Sequence, residues 1–365
     1  MSLAHLLRPA LRSPRFHTPR ALPSTTYTCQ SRRTYALQTP GSPVMEIFNR
    51  RTKHLQKDRA AQNVEESRKT DYIKDEVATR LCERLLDIKR DFPNVLDLGA
   101  NSCNIARALT QPDPDPDSPT GSSPPLSRRI SHLTCVDTSP ALLHRDASLP
   151  FNSEMNLTRE IIPDLETLPY AENSFDAVLS SLSIHWINDL PSLLAQVNKI
   201  LKPDCPFIAA MFGGDTLFEL RTSLQLADLE RRGGVSPHVS PLADVRDVGG
   251  LLNKAGFKML TVDVEDIRVE YPDSFALMRD LQAMGESNAI LHRELGPISR
   301  DVLLANEAIY RQLHMEEGDR GLPATFRLIY MIGWKEGLGQ SEPLQRGSGQ
   351  LNLKDVLGGG DFEGR

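Results

Sequence analysis

Two acidic side chains each end a predicted β-strand, which is where a sheet presents them to a ligand. Asp97 lies in the apolar run 95–98 just before Gly99, and Asp137 follows the apolar run 130–136. In open α/β sheets, ligands bind beyond the carboxyl ends of the strands, where an acid can accept hydrogen bonds from ribose hydroxyls. NAD and S-adenosylmethionine sites share that chemistry. The pair favours an adenosyl ligand, with an ordinary acidic helix start as the alternative for Asp137.

The loop after Gly99 lacks the glycines of a dinucleotide-binding fingerprint. That pattern would place glycine at positions 101 and 104, where this chain has Asn101 and Asn104. NAD binding therefore loses most of its support. Asn101 can still adopt the positive φ that a tight turn requires, at a moderate cost.

Strands that alternate with helices must hold these acids in place. A helix over residues 73–88 precedes the first strand, and Ser139 with Pro140 predicts a helix start after the second. The further predicted strands are Leu157–Ile161, Phe175–Leu179, Phe207–Phe212, Met259–Val264 and Phe326–Ile332, and the further helices are Leu190–Leu201 and Val245–Ala255. This order predicts an α/β fold with a doubly wound parallel sheet. The last two strands predict an antiparallel edge.

Several segments fall outside this alternation. Residues 111–128 contain six prolines and predict a loop insertion with no packed element. Residues 216–232 and 273–312 look helical and are too long for connections, so they predict a lid over the sheet. Residues 48–61 predict a short basic helix with a solvated face. The predicted divisions are a disordered presequence at 1–44, an N-terminal helical extension at 45–93, an α/β domain at 94–336 with lid segments 216–240 and 273–320, and a disordered tail at 337–365.

The first 45 residues have the composition of a mitochondrial presequence. They contain six arginines and no Asp or Glu, and Leu3, Leu6, Leu7 and Leu11 follow helical spacing. The membrane potential draws such a cationic amphipathic helix into mitochondria. The alternative is a disordered basic tail.

Charge, hydropathy and cysteine count exclude several classes of protein. Without the six leader arginines, 36 basic side chains stand against 48 acidic ones, which gives a net charge of −12. A general nucleic-acid binder needs clustered positive charge instead. No apolar run reaches the roughly 18 residues of a membrane-spanning helix. The five cysteines include no C-x-x-C pair, which argues against a disulfide framework and a cysteine-rich zinc site.

Longer stretches of the sequence resemble known motifs. Residues 95–99 (VLDLG), 168–170 (LPY) and 174–181 (SFDAVLSS) resemble successive motifs of class I S-adenosylmethionine-dependent methyltransferases. More narrowly, the chain resembles the mitochondrial complex I assembly factor 5 family of arginine hydroxylases, from about residue 46 to Lys335. The segments that carry this closer resemblance are Ile47-Phe48 with Gln56-Lys57, 182–191 (LSIHWINDLP), 211–217 (MFGGDTL), 224–227 (LQLA) and 284–288 (MGESN). The implied fold is a Rossmann-like class I methyltransferase sheet with a helical lid and an N-terminal helical extension.

The resemblance implies a protein of the mitochondrial matrix that binds S-adenosylmethionine and modifies an arginine of a complex I subunit during assembly. The matrix face of the inner membrane is a further implied contact, and no nucleic acid is expected. Carried over by position, Asp97 and Gly99 would line the methionine end of the cofactor, Asp137 the ribose and Asp164 the adenine.

The same loop departs from the pattern of that family. Relatives commonly have Gly-Cys-Gly-x-Gly, whereas Gly99 is followed here by Ala100-Asn101-Ser102-Cys103. Side chains at 101 and 103 would crowd the carboxylate of the ligand, unless Asn101 and Ser102 supply replacement hydrogen bonds. Retained binding is the expectation.

Candidate substrate contacts follow the fourth predicted strand. His185 could take a proton, and Trp186 could stack on a guanidinium group; alternatively, both only pack the strand-to-helix turn. In the lid segments, Glu219 and Glu286 could each pair with an arginine through two parallel hydrogen bonds. A solvated role is the alternative for Glu219.

Hydroxylation normally requires an oxidant such as iron, held by two histidines and a carboxylate. The triplets 144–146 and 292–294 have H-x-D/E spacing, but both lie in predicted helices far apart in sequence, and chance explains them better. No metal site is predicted. Two other functions stay open: a methyltransferase similar to the malonyl-acyl-carrier enzymes of biotin synthesis, and a non-catalytic assembly chaperone on a degenerate methyltransferase fold.

Overall fold

A central β-sheet organises the chain. The computed structural model describes residues 46–114, 122–291, 296–316, 318 and 320–340. The strands of this part of the chain are β1 (Phe92–Leu98), β2 (Asp113–Pro114), β3 (Ser122–Ser123), β4 (Ile130–Asp137), β5 (Leu157–Ile161), β6 (Ala177–Ser181), β7 (Pro206–Phe212), β8 (Phe257–Tyr271) and β9 (Leu322–Lys335).

The sheet has the order β5-β4-β1-β6-β7-β9-β8, and β2 pairs with β3 in a separate hairpin. The first five strands of that order are parallel. Strand β9 runs antiparallel to both β7 and β8. The predicted parallel sheet with an antiparallel final pair is therefore confirmed. The fourth predicted strand begins two residues late, because Phe175 makes only an isolated bridge to Leu201.

Helices cover both faces of this sheet. In chain order they are α1 (Arg50–Gln62), α2 (Val64–Lys69), α3 (Tyr72–Leu86), α4 (Asn104–Thr110), α5 (Pro140–His144), α6 (Phe151–Glu154), α7 (Leu190–Ile200), α8 (Phe218–Arg232), α9 (Val245–Lys254), α10 (Ser274–Ala283) and α11 (Arg300–His314). The helical prediction for the lid segments is met by α8, α10 and α11. Ser139 caps α5 as predicted, by accepting from the amide of Leu142.

Two hydrophobic cores lie on opposite faces of the sheet. Val95 belongs to the core under α3, α4, α8 and α11, whereas its neighbour Leu96 belongs to the core under α7 and α9. Alternate side chains of a strand point to opposite faces, so one strand supplies both cores. The apolar stripe of α3 is buried as predicted. Its N-cap is Asp71, but no side-chain capping bond forms, because that carboxylate is bound by Arg145 instead.

Three expectations from the sequence need correction or stay untested. The insertion at 111–128 does contain a packed element, since Leu126 is buried in a 3₁₀ turn at Leu126–Arg129. Within the predicted tail, Gln340 is anchored by its side chain to Asp204 and to the carbonyl of Lys335. The presequence and residues 341–365 lie outside the described residues. Among the helices described, none is long and apolar enough to cross a bilayer.

Candidate active site

The ends of β1 and β6 gather buried acceptors that lack hydrogen-bond partners within the described chain. Neither carboxylate oxygen of Asp97 has a partner, and the same holds for Oδ1 of Asn101 and Oγ of Ser181. These side chains are almost completely buried. Burial raises the pKa of Asp97 well above its usual range, and Cys103 and Asp137 add to the effect. Buried polar groups in proteins are normally paired, so this cluster fits the ammonium end of an amino-acid ligand.

The turn between β1 and α4 is built as the sequence predicted. Gly99 has φ +72°, and a Cβ there would lie 2.0 Å from Oγ of Ser183, so no side chain fits. Asn101 adopts φ +51° and donates from Nδ2 to the carbonyl of Ser181 over 3.2 Å. Side chains in the left-handed region cost free energy, which the surrounding hydrogen bonds offset.

The expected crowding and replacement bonds in this loop are not found at residues 102 and 103. The Sγ of Cys103 lies in the hydrophobic core, 3.8 Å from the carbonyl of Leu143. The hydroxyl of Ser102 donates to Asn104 over 2.9 Å and approaches Asp71. Of the three loop side chains, Asn101 alone keeps an acceptor oxygen without a partner.

Asp137 ends β4, next to β1, but its carboxylate is already bound. Lys57 Nζ lies 3.2 and 3.0 Å from the two oxygens, and the amides of Asn101 and Ser139 each donate over 3.0 Å. These four contacts use the lone pairs of both oxygens. The predicted ribose contact at Asp137 stays a prediction. In this structure protein donors occupy the positions that the ribose hydroxyls would need.

Lys57 was missed because its helix was interpreted as solvated. Lys53 and Lys57 lie one turn apart on α1 and are only 7% and 3% exposed. A basic run on a short helix usually faces water, and their partners lie 80 or more residues away in sequence. The i, i+4 spacing was the only signal that the two side chains share a face.

A cavity of about 490 Å³, the strand-end cavity, lies between α1 and the loop after β5. Its lining includes Lys57, Ile162, Asp164, Leu165 and Trp186. The predicted adenine contact Asp164 thus lines a cavity in which apolar side chains such as Leu165 and Trp186 offer surfaces for a flat base among several charged residues. Its carboxylate accepts from Nη1 of Arg50 over 2.9 Å, another pairing that the sequence did not predict.

The three predicted catalytic side chains meet, although Glu286 is about a hundred residues from the other two. Oε2 of Glu286 accepts from Nε1 of Trp186 over 2.8 Å and lies 3.3 Å from Nε2 of His185. Oε1 of Glu286 and Nδ1 of His185 are buried and have no hydrogen-bond partner in the described chain. A carboxylate only accepts, so Nε2 of His185 carries the proton and Nδ1 is the basic nitrogen.

The charges of this cluster follow from burial and pairing. Burial acts to raise the pKa of Glu286, but the bond from His185 and the charge of Lys53 outweigh it and hold that pKa well below its usual range. Burial lowers the pKa of His185 despite the attraction of Glu286. At neutral pH the site therefore holds an ionised Glu286 beside an uncharged His185.

A second cavity of about 430 Å³, the lid cavity, lies beside Trp186. Its apolar lining includes Phe212, Leu217, Leu220, Leu224, Met278, Leu281 and Phe326, and its polar lining includes His185, Glu286, Asn288 and His238. Trp186 lines both this cavity and the strand-end cavity. The geometry suits a substrate with one cationic group, received by Glu286 within apolar walls.

Glu219 takes neither of the roles weighed from the sequence. It is 3% exposed, so it is not solvated, and it accepts from the amide and hydroxyl of Thr325. These bonds tie α8 to β9.

The described residues offer no ligand set for a metal ion, since no group of three or more His, Cys, Asp or Glu side chains converges there. His144 bonds the carbonyl of Pro140, and Asp146 is held by Arg68 and Arg145. The triplet 292–294 lies outside the described residues.

The strand order, the antiparallel final pair and the acids at the strand ends define a class I methyltransferase fold, and a family model described as a methyltransferase domain matches residues 120–209. The arginine hydroxylase NDUFAF5 of Danio rerio is 44% identical over 312 residues, which cover 86% of this chain and 90% of the relative. The Homo sapiens protein of that name is 44% identical over 86% of this chain and 84% of its own length. The chain belongs to the NDUFAF5 arginine-hydroxylase family.

Two further comparisons concern the reaction and the location of this chain. A malonyl-[acyl-carrier protein] O-methyltransferase of Halorhodospira halophila is 33% identical over 78% of this chain and 87% of its own length. The NDUFAF5 relatives are named mitochondrial, which supports a mitochondrial location for this chain.

Proposed function

We propose that this protein binds S-adenosylmethionine in the mitochondrial matrix and hydroxylates an arginine of a complex I subunit during assembly of the complex. One observation carries the proposal: His185, Trp186 and Glu286 converge on the lid cavity, and Glu286 keeps one buried carboxylate oxygen without a partner. The names of the relatives supply the reaction. We also propose that the protein meets this complex I subunit, its client, at the matrix face of the inner membrane.

The cofactor would occupy the strand ends and the strand-end cavity. Its ammonium would satisfy Asp97, its ribose would replace Lys57 at Asp137, and its base would lie beside Asp164. When bound, S-adenosylmethionine supplies a positively charged sulfonium with a transferable methyl group. Asp97 would lose its proton on binding, since a neighbouring cation favours the charged carboxylate.

The arginine would enter the lid cavity. Its guanidinium would donate to Oε1 of Glu286 and stack against the ring of Trp186, as charged planar groups commonly do. Nδ1 of His185, which has no partner in the described chain, would accept a hydrogen bond from the guanidinium. The apolar walls would exclude water around the paired charges and so strengthen their attraction. These residues bind and orient the arginine, and the described chain supplies no ligand set for an oxygen-activating metal.

Mapping of arginine modifications in complex I subunits tests the reaction. Cells that lack the protein would be complemented with the wild type, Glu286→Gln or Glu219→Gln, and the subunits analysed by peptide mass spectrometry. We expect one additional oxygen atom on an arginine with the wild type and with Glu219→Gln, and none with Glu286→Gln. An unmodified subunit in wild-type cells would contradict the proposal.

Methyl transfer is the second candidate, because the malonyl-[acyl-carrier protein] O-methyltransferase shares a third of the aligned residues. The same measurement separates the two reactions, since methylation adds one carbon and two hydrogens rather than one oxygen.

A further inference from the structure

The segment that carries Glu286, Met284–Asn288, is neither helix nor strand, and side chains of the N-terminal helices hold its backbone. Lys74 donates to the carbonyl of Met284 over 2.7 Å, and Gln56 donates to that of Asn288 over 3.0 Å. The amide of Asn49 donates to the carbonyl of Ala289 over 2.7 Å. Residues far away in sequence therefore hold both ends of this segment.

Among these N-terminal side chains, Lys53 contacts the two residues that flank Glu286. Its ammonium donates to the carbonyls of Gly285 and Ser287, over 3.1 and 2.8 Å, on both sides of that residue. The same Nζ lies 3.3 Å from the centre of the Trp186 ring. One buried amino group thus touches both neighbours of Glu286 and the indole that donates to the Glu286 carboxylate.

We propose that Lys53 is a positioning residue, whose ammonium fixes the Glu286 backbone and the Trp186 ring so that the carboxylate receives the cationic group of the substrate in the lid cavity. The functional half of this inference rests on the proposed function. The structural half, the arrangement of Trp186 and Glu286, stands independently.

An ammonium suits this position better than other side chains. It has three donors in a compact group, which match two carbonyls and one aromatic face. A neutral amide would lack the attraction to Glu286 and to the indole face. A guanidinium is larger and planar, so it matches this compact set of two carbonyls and one ring less closely.

Burial of Lys53 has a cost that purely structural packing would avoid. Burial lowers its pKa to about 7, against the attraction of Glu286 and with added repulsion from Lys57 and Lys74. A buried ion pair can often be replaced as a whole by apolar side chains without loss of stability. The contacts of the Lys53 amino group with Gly285, Ser287 and the Trp186 ring give this buried lysine a positioning role.

The test uses the full chain labelled with 5-fluorotryptophan. The chain has two tryptophans, so the ¹⁹F NMR spectrum has one resonance for each, and Trp334→Phe assigns them. Lys53→Met and Lys53→Arg would be compared with Lys74→Met as a control. Lys74 is also a buried lysine, and it donates to the carbonyl of Met284, at the start of the Met284–Asn288 segment.

We expect Lys53→Met to shift the Trp186 resonance, to leave that of Trp334 unchanged and to lower the modified fraction of the client arginine by about tenfold to a hundredfold. Lys53→Arg should bring both the Trp186 resonance and the modified fraction part of the way back to the wild-type values. Lys74→Met should leave the Trp186 resonance in place. An unmoved Trp186 resonance in Lys53→Met, or equal effects of both methionine variants, would overturn the proposal.

Failure of the two proposals can be told apart. If the wild type leaves the client arginine unmodified, the proposed function fails, while the ¹⁹F spectra still decide whether Lys53 sets the environment of Trp186. If the client is modified but Lys53→Met changes neither readout, only the positioning role fails.

Discussion

At the scale of single residues, two buried lysines contact two side chains to which we expect groups of the ligands to bind. Lys57 binds the carboxylate of Asp137, where a ribose would bind, and Lys53 lies over the ring of Trp186, which a guanidinium in the lid cavity would also contact. The structure therefore shows what chemistry each place accepts. At Asp137 that chemistry is hydrogen-bond donation, and at Trp186 it is a cation.

Removal of Lys57 should separate stability from cofactor affinity. Lys57→Met leaves the buried Asp137 without its cation, and breaking a buried ion pair costs about 3–5 kcal/mol. The same change vacates the acceptors for ribose hydroxyls. We expect a lower free energy of unfolding in urea and, at a temperature where the variant is folded, a smaller Kd for S-adenosylmethionine by calorimetry. Weaker binding would mean that Lys57 helps to hold the cofactor.

We expect Lys53 to contribute to the pH dependence of the free energy of unfolding. Its pKa is lowered from 10.5 to about 7 in the folded chain, so between these values the unfolded chain binds more protons. The free energy of unfolding therefore rises with pH in that window, by up to about 1.4 kcal/mol per unit. Urea denaturation at several pH values should show a smaller rise of the unfolding free energy per pH unit for Lys53→Met than for the wild type. Equal slopes would refute this, and Lys254→Met, at an exposed position, is the control.

At the scale of elements, hydrophobic periodicity and turn chemistry predicted the strands and most helices, because those signals are local. The run Val95–Leu98 and the α3 stripe were readable from their own residues. The burial of α1 could not be predicted from its own residues, because its lysines pair with Asp137 and with carbonyls of the Met284–Asn288 segment, which are distant in sequence. His185, Trp186 and Glu286 were each predicted, with the resemblance supplying what spacing alone did not. Their mutual contacts required the fold.

The turn after β1 gives a prediction at this scale. Gly99→Ala places a Cβ 2.0 Å from the Ser183 hydroxyl at φ +72°, and the left-handed backbone alone costs about 1–2 kcal/mol. We expect a lower thermal midpoint and loss of cofactor binding. Gly214→Ala, at the end of β7 with no neighbour closer than 3.6 Å, should behave like the wild type. Equal behaviour of the two variants would show that the turn is not tight.

At the scale of the whole molecule, the two cavities proposed for cofactor and substrate share the indole of Trp186. Trp186 lines both cavities, so ligands in the two cavities would share a wall. The N-terminal helices close the strand-end cavity and also hold the segment of Glu286. Cofactor binding that displaces Lys57 on α1 would therefore act on the same helix that carries Lys53.

The most direct test of the account is calorimetric titration of S-adenosylmethionine into the full chain, with Asp97→Asn in parallel. Asparagine has nearly the shape of the protonated acid that burial favours, so the variant should fold, but it cannot become the carboxylate that pairs with the ligand ammonium. We predict saturable binding at one site in the wild type and a loss of about tenfold or more in affinity in Asp97→Asn. Absence of heat in the wild type at millimolar ligand, or equal affinities, would contradict the account.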